Sequence, residues 1–94
     1  MRHVAVLSFE IFIPAAQSLK EKRRIVKSIK DRIRSHYNVS VAELDGLDKW
    51  QKAVIGVCMI GNDKAYMDGC LQKVKNFLEG MDGFNLIDLQ VEFL

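Results

Sequence analysis

The chain contains only two cysteines and one proline among its 94 residues, and it has no long apolar run. Cys58 and Cys70 lack CxxC spacing, and no histidine lies at zinc-ligand spacing from either, so we expect small buried thiols and no metal site. A bilayer-spanning helix needs ~20 consecutive apolar residues. Ser8 and Glu10 interrupt the apolar amino-terminal segment at alternate positions, which is typical of a strand and not of a secretory signal. These features favour a cytoplasmic protein without a membrane partner.

The composition is that of an ordinary globular protein, but the charge is unevenly distributed. Hydrophobic residues make up 49% of the chain and charged residues 28%, and the length predicts one domain over residues 1–94. The segment 20–34 holds eight basic and two acidic residues, whereas the whole chain has a net charge of only +2. The chain therefore has one basic segment, and the rest of its residues are acidic overall.

Residue spacing predicts four strands and two helices. Alternation of apolar and polar residues indicates strands over 3–13, 38–44, 51–60 and 84–93. Ser18 followed by Glu21 is a capping box, so the first helix begins at Leu19 and continues to about His36. "GND" at 61–63 begins a second helix that ends near Gly80. Four residues of the last strand are predicted to face inward: Ile87, Leu89, Val91 and Phe93.

The predicted order is βαββαβ, which limits the possible folds. Two right-handed βαβ units place both helices on one face of the sheet. We therefore predict an α+β fold, the ferredoxin-like sandwich, with a four-stranded antiparallel sheet in the order 4-1-3-2.

Several activities known for this fold lack the residues that they need. An RNA-reading sheet requires aromatic side chains on its open face, but the first and third strands offer valines, Gly56 and Cys58 there, and the last strand adds acids. The first loop, "IPAAQS", has neither a glycine-rich anion cradle nor paired cysteines. No nucleophile–base pair is indicated. We expect no catalytic residue and no cofactor.

The basic segment has a one-sided arrangement. At 100° per residue, Arg23, Lys27, Lys30 and Arg34 form a band about 60° wide and roughly 16 Å long, and Lys20 extends it. The apolar positions Val26, Ile29 and Ile33 lie elsewhere on the helix. We expect no acid at i+4 to pair with these cations, so they repel one another. A solvated charged surface is the alternative interpretation, but an anionic partner explains the pattern better.

Three further features have candidate roles. Lys22 falls in the middle of the apolar arc. We expect its ammonium to reach water near "PAAQS", although it is also a candidate anion ligand. Trp50 is a candidate for base stacking, with packing beside a strand as the alternative. Uncovered apolar residues on the open sheet face predict a homodimer interface: Val4, Val6, Val54 and Cys58.

Several segments together resemble the YlxP-like family of small uncharacterised bacterial proteins. They are "SLKEKRR" at 18–24, "NVSVAE" at 38–43, "WQKA" at 50–53, Gly56 and "ND" at 62–63. The family's basic motif falls on Ser18, Leu19, Lys20, Lys22 and Arg23, and its Trp-Gln pair on Trp50 and Gln51. The resemblance implies a ferredoxin-like domain without an established activity or catalytic residues. Members are often encoded beside transcription-termination, translation-initiation and ribosome-maturation factors, which directs attention to ribosomal RNA.

The resulting hypotheses fall into three classes. The first is a non-enzymatic protein, a homodimer, that binds ribosomal RNA or the ribosome through phosphate contacts. Its predicted RNA- or anion-binding residues are Lys20, Lys22, Arg23, Lys27, Lys30, Arg34 and Trp50. The second is a protein–protein interaction module, a homodimer whose basic helix recognises an acidic partner surface. The third is a small-anion-binding or enzymatic dimer around Lys22 and "PAAQS".

Overall fold

Four strands and two helices follow one another in the order that the sequence predicts. The computed structural model describes residues 1–94. Its elements are β1 (His3–Phe12), α1 (Leu19–His36), β2 (Ser40–Asp45), β3 (Lys52–Gly61), α2 (Lys64–Glu79) and β4 (Asn85–Phe93). The strands form one antiparallel sheet in the order β2-β3-β1-β4. The predicted order 4-1-3-2 is the same order read from the other edge, so the α+β ferredoxin-like fold is confirmed.

Side-chain caps fix where both helices begin. The Ser18 hydroxyl accepts a hydrogen bond from the backbone N–H of Glu21 at 3.1 Å, and a Glu21 carboxylate oxygen accepts one from the N–H of Gln17 at 2.6 Å. At α2, Asp63 accepts from the N–H of Tyr66 at 3.1 Å. These bonds satisfy N–H groups that have no partner within the helix. The helix start predicted from Ser18 and Glu21 is therefore confirmed.

The core lies between the helices and one face of the sheet. Alternate residues of the two central strands are buried there, among them Leu7, Phe9 and Ile55. Apolar positions of both helices cover them at three- and four-residue spacing: Val26, Ile29, Ile33, Met67, Leu71, Val74 and Leu78. The opposite face, called the open face below, is covered by no element of the chain. Burial on one side thus follows the two periodicities in the sequence.

The prediction that Ile87 faces inward is wrong. Glu10 pairs with Asp88, but the next residue of β1, Ile11, pairs with Leu86, so β4 contains a bulge at residue 87. Leu86 packs against the core instead, and the Ile87 side chain is 58% exposed. One extra residue in a strand reverses the inward and outward positions on either side of it. Beyond the bulge, Leu89 and Phe93 pack against the core as predicted.

Lys22 does not reach water, contrary to the sequence-based prediction. Its side chain is fully buried, and its Nζ donates to Oε2 of Glu43 at 2.6 Å and to the carbonyl oxygen of Gly46 at 2.5 Å. Glu43 pairs in register with the buried Ile55, so it lies on the helix side of β2. A buried ammonium requires compensating charge and hydrogen bonds. The lysine therefore joins α1 to β2 and to the loop that follows it.

Removing only the lysine should destabilise the fold. Lys22→Ala leaves Glu43, whose side chain is 14% exposed, without its cation, and we expect a loss of about 3 kcal/mol in the free energy of unfolding. The double variant Lys22→Met with Glu43→Leu should be close to the wild type, because Gly46 still accepts from the N–H of Lys49 at 2.9 Å. Urea denaturation measures both.

Lys27→Ala is the matched control for this prediction. It removes another lysine of α1 that has an ion pair, but the Lys27 side chain is 74% exposed. Its cost should stay below about 1 kcal/mol. A Lys22→Ala variant as stable as Lys27→Ala would contradict the structural role of the buried pair.

Candidate functional site

The five cations that the sequence places on one band lie on the same side of α1. Hereafter they are the cationic stripe: Lys20, Arg23, Lys27, Lys30 and Arg34. Four are exposed and Lys30 is half-buried, whereas Val26, Ile29 and Ile33 of the same helix are buried on its other side. The structure therefore brings these predicted residues together on one surface.

An acid does lie beside the stripe, and the expectation of none at i+4 is wrong. Asp31 is four residues beyond Lys27 and only about 40° around the helix from it. Its Oδ2 accepts from Nζ of Lys27 at 2.7 Å, and its Oδ1 lies 3.4 Å from Nη1 of Arg34. The hydrogen bond from Lys27 lowers the pKa of Asp31 below its ordinary value, and the charges of Lys27, Arg34 and Lys30 add to this effect. Asp31 therefore keeps its negative charge in mildly acidic solution.

Arg34 also has a second structural contact. Its Nη2 donates to the carbonyl oxygen of Val41, on the edge strand β2, at 2.8 Å. The guanidinium therefore links the end of α1 to the sheet while it contacts Asp31. Fewer of its N–H groups face solvent than the helical projection suggests.

The remaining cations have no acidic partner within the chain. None of the four ion pairs in the structure includes Lys20, Arg23 or Lys30. Arg24, on the flank of the stripe, is likewise exposed and unpaired. The free positive charge is therefore greatest in the first three turns of α1.

Lys22 does not belong to this surface. Its ammonium is enclosed by Glu43 and Gly46, so it is not available to an anion in solution. Sequence reasoning missed Glu43 as the partner. A signal was available in the sequence. Glu43 lies two residues beyond the buried Val41, so it takes an inward position of β2, and Lys22 takes an inward position of α1. Two opposite charges at inward positions indicate an ion pair.

Trp50 lies in the loop between β2 and β3 and projects from the surface. Its side chain is 56% exposed, and it is not among the residues that pack against the core. Leu47, in the same loop, is also exposed. This exposure disfavours the alternative that Trp50 serves to pack a strand.

The open face carries the four residues predicted for a dimer interface. Val4 pairs in register with Ile60, Val6 with Cys58, and Glu10 with Val54, so they lie on neighbouring positions of the two central strands.

Cys58 is exposed and Cys70 is half-buried, so the prediction of buried thiols is wrong; both cysteines are free.

Part of the open face forms a shallow apolar depression. Its volume is about 250 Å³, and it is lined by Val6, Ala42, Leu44, Gly56 and Cys58. The Leu44 side chain lies directly over Gly56, where an added Cβ would be 2.7 Å from Leu44 Cδ1. Leu44 follows Ser40 and Ala42 at alternate positions of β2, and the register of β2 against β3 shifts between Glu43 and Asp45.

The β4 side of the open face is acidic. Glu10 and Asp88 are paired in register across β1 and β4, with Gln90 and Glu92 further along. Lys52 lies 4.0 Å from Glu10. Acids on this half of the face repel phosphate.

A second, aromatic surface joins the ends of the helices. The rings of His36 and Phe77 are 4.6 Å apart, Tyr37 packs edge-on against Phe77, and the guanidinium of Arg32 lies 5.8 Å from the Phe77 centroid. Arg32 is thereby directed towards α2 and away from the cationic stripe. The pKa of the Tyr66 phenol, on α2, is raised, mainly by a hydrogen bond with Cys70.

No three His, Cys, Asp or Glu side chains converge at a distance suited to a shared metal ion. Neither of the two helices is long and apolar enough to cross a membrane.

Comparisons with known proteins identify relatives of this chain. It is 34% identical over 70 residues to "Uncharacterized protein YlxP" of Bacillus subtilis (strain 168), an alignment that covers 74% of this chain and 76% of that protein. Its fold is similar to that of a de novo designed protein, Foldit4, with a TM-score of 0.56, 15% identity and coverage of 100% and 97% of the two chains. The model of one family, "Protein of unknown function (DUF503)", matches residues 4–91. The chain therefore belongs to the DUF503 family.

Proposed function

We propose that this protein is a non-enzymatic, RNA- or ribosome-associated protein of the cytoplasm that holds the phosphate backbone of RNA on the cationic stripe and acts as a homodimer. One observation carries the proposal: Lys20, Arg23 and Lys30 share one side of α1 and have no acidic partner in the chain. Lys27 lies among them and shares its only acid, Asp31, with Arg34.

The clustered positive charges of the cationic stripe are unfavourable in the isolated protein and favourable next to phosphate groups. Like charges three or four residues apart destabilise a helix slightly. A polyanion relieves that repulsion and releases its own condensed counterions when it binds. Phosphate contacts position a protein on RNA without a catalytic group, which is why the proposal is non-enzymatic.

Two further points support the location and the class of RNA. Free thiols such as Cys58 and Cys70 persist in the reducing cytoplasm. The resemblance to YlxP-like proteins, which are often encoded beside translation factors, favours ribosomal RNA over other RNAs.

A second copy of the chain is the partner that we propose for the open face. On this face Leu44 is exposed and Val4 and Val6 are half-buried, with no element covering them, and apolar patches of this kind commonly mark an interface. A twofold axis brings the same patch of two copies together. The stripes of both copies remain outside such an interface, since α1 lies on the other side of the sheet.

Reversing two unpaired charges should abolish RNA binding. Arg23→Glu with Lys30→Glu is expected to eliminate measurable binding to ribosomal RNA and to leave the unfolding transition nearly unchanged, because neither side chain has an ion pair to lose. Lys64→Glu with Lys73→Glu makes the same charge change on α2 and is the control. Filter binding and urea denaturation measure both variants.

The salt dependence provides a quantitative check of the same site. If Lys20, Arg23, Lys27 and Lys30 each neutralise one phosphate, log K should fall with log salt with a slope of about −3 for single strands and about −3.6 for duplexes. Wild-type protein that binds no RNA, but captures an acidic protein dependent on these cations, would replace the proposal with the interaction-module alternative.

Removing the acid beside the stripe should strengthen binding. Asp31→Asn frees Lys27 and Arg34 and should tighten RNA binding by roughly 2- to 5-fold, the equivalent of one exposed ion pair. Since the pKa of Asp31 is lowered, acidifying the wild type should reproduce this gain only below pH 3.8, the ordinary value. Asp68→Asn, which removes an exposed acid from α2, should have a smaller effect. Weaker binding by Asp31→Asn would argue against the stripe as the binding surface.

A charge on the open face should separate the dimer. Val6→Glu places a carboxylate in the apolar depression and should weaken self-association at least tenfold, as measured by sedimentation equilibrium. Gln90→Glu adds the same charge to the acidic half of the face and should leave the mass unchanged. A wild-type protein that is monomeric at high micromolar concentration would show that the homodimer proposal is wrong.

A further inference from the structure

The loop of residues 46–51, called the Trp50 loop below, is held against the beginning of α1. The Gly46 carbonyl oxygen accepts from Nζ of Lys22 at 2.5 Å and from the N–H of Lys49 at 2.9 Å. Gly46 has a φ of 78°, a conformation that favours glycine, so the chain turns sharply at this contact. Lys22 belongs to the first turn and a half of α1, so the loop is fixed beside the end of the helix where the free cations lie.

The other end of the same loop is fixed to the connection between β1 and α1. The Gln51 carbonyl oxygen accepts from the N–H of Ile13 at 2.8 Å, and the Gln51 side chain donates to the carbonyl oxygen of Pro14 at 3.1 Å. Trp50 immediately precedes this residue. Both anchors therefore hold the indole at the end of the molecule where Lys20 and Arg23 begin the cationic stripe.

An exposed indole at the same end of the molecule as unpaired cations has a specific chemical use. Proteins that bind single-stranded nucleic acids combine a cationic path for the backbone with aromatic side chains on which bases stack. In a duplex the bases are already stacked on one another and do not present a free face at the surface. Trp50 is exposed, lies outside the core and belongs to a loop with fixed ends.

We infer that the RNA held by the cationic stripe is single-stranded and that one of its bases stacks on the indole of Trp50. This inference rests on the proposed function and specifies its ligand. The backbone runs past Lys20 and Arg23 towards Lys27 and Lys30, with the stacked base at the amino-terminal end of α1. Stacking tolerates any base, so the contact provides preference for single strands and not for a sequence.

The chain offers a direct probe of this contact, because Trp50 is its only tryptophan. Fluorescence excited at a wavelength where the two tyrosines do not absorb therefore reports on this position alone. The full chain is titrated with a short oligoadenylate, with an abasic strand of equal length and with a duplex of equal length. We expect the oligoadenylate to quench the fluorescence strongly, whereas the abasic strand and the duplex have little effect.

Affinity measurements with variants complete the experiment. Trp50→Ala should bind oligoadenylate about 5- to 150-fold more weakly and the duplex unchanged, and Trp50→Phe should restore most of the loss. Leu47→Ala, which removes an exposed aliphatic side chain from the same loop, is the control and should bind like the wild type.

The outcomes distinguish this inference from the function on which it rests. The stacking contact is overturned, with phosphate binding intact, if the wild type and Trp50→Ala bind oligoadenylate equally. It is also overturned if the wild type binds the abasic strand as tightly as oligoadenylate. Wild type that binds no RNA overturns both. A blue shift of Trp50 on phosphatidylserine vesicles, without quenching by oligoadenylate, would assign the indole to a lipid surface and overturn the inference.

Discussion

The buried ammonium of Lys22 is the constraint on which the arrangement of this molecule depends. With no access to water it must point at Glu43 and the Gly46 carbonyl, and both lie towards β2. This requirement fixes the rotation of α1 about its own axis. Arg23 and Lys27 then have to face solvent, because they lie about 100° and 140° around the helix from Lys22. One internal ion pair thus selects which cations form the outer surface.

The same pair couples two parts of the proposed binding surface. Gly46 begins the Trp50 loop, and Lys22 is two residues beyond Lys20, so loop and stripe share one anchor. The free charge is concentrated at this end of α1, because Asp31 pairs with Lys27 and Arg34 nearer the other end. The open face lies on the far side of the sheet. The proposed self-association and the proposed contact with an anionic partner therefore involve separate surfaces.

Local signals in the sequence predicted most of the fold, whereas contacts between distant segments were missed. The Ser18 cap and the alternation along β1 each depend on residues close in the chain, and both are confirmed. The bulge at Ile87 depends on the pairing of β4 with β1, and the burial of Lys22 depends on Glu43, 21 residues away. Asp31 lies only four residues from Lys27 and could have been found. It was missed because only residues within the narrow band of cations were compared, and a lysine side chain reaches beyond that band.

Both edges of the sheet are poor templates for further strands. At one edge, Arg34 occupies the Val41 carbonyl of β2. At the other, β4 is distorted at Ile87 and carries Asp88 and Glu92, and bulges and charges of this kind discourage edge-to-edge pairing. Strand pairing at the sheet edges can continue from one copy to the next without limit, whereas an open face that packs against one second copy is fully covered. The geometry of the strands thus favours an assembly that closes over one that grows into a fibre.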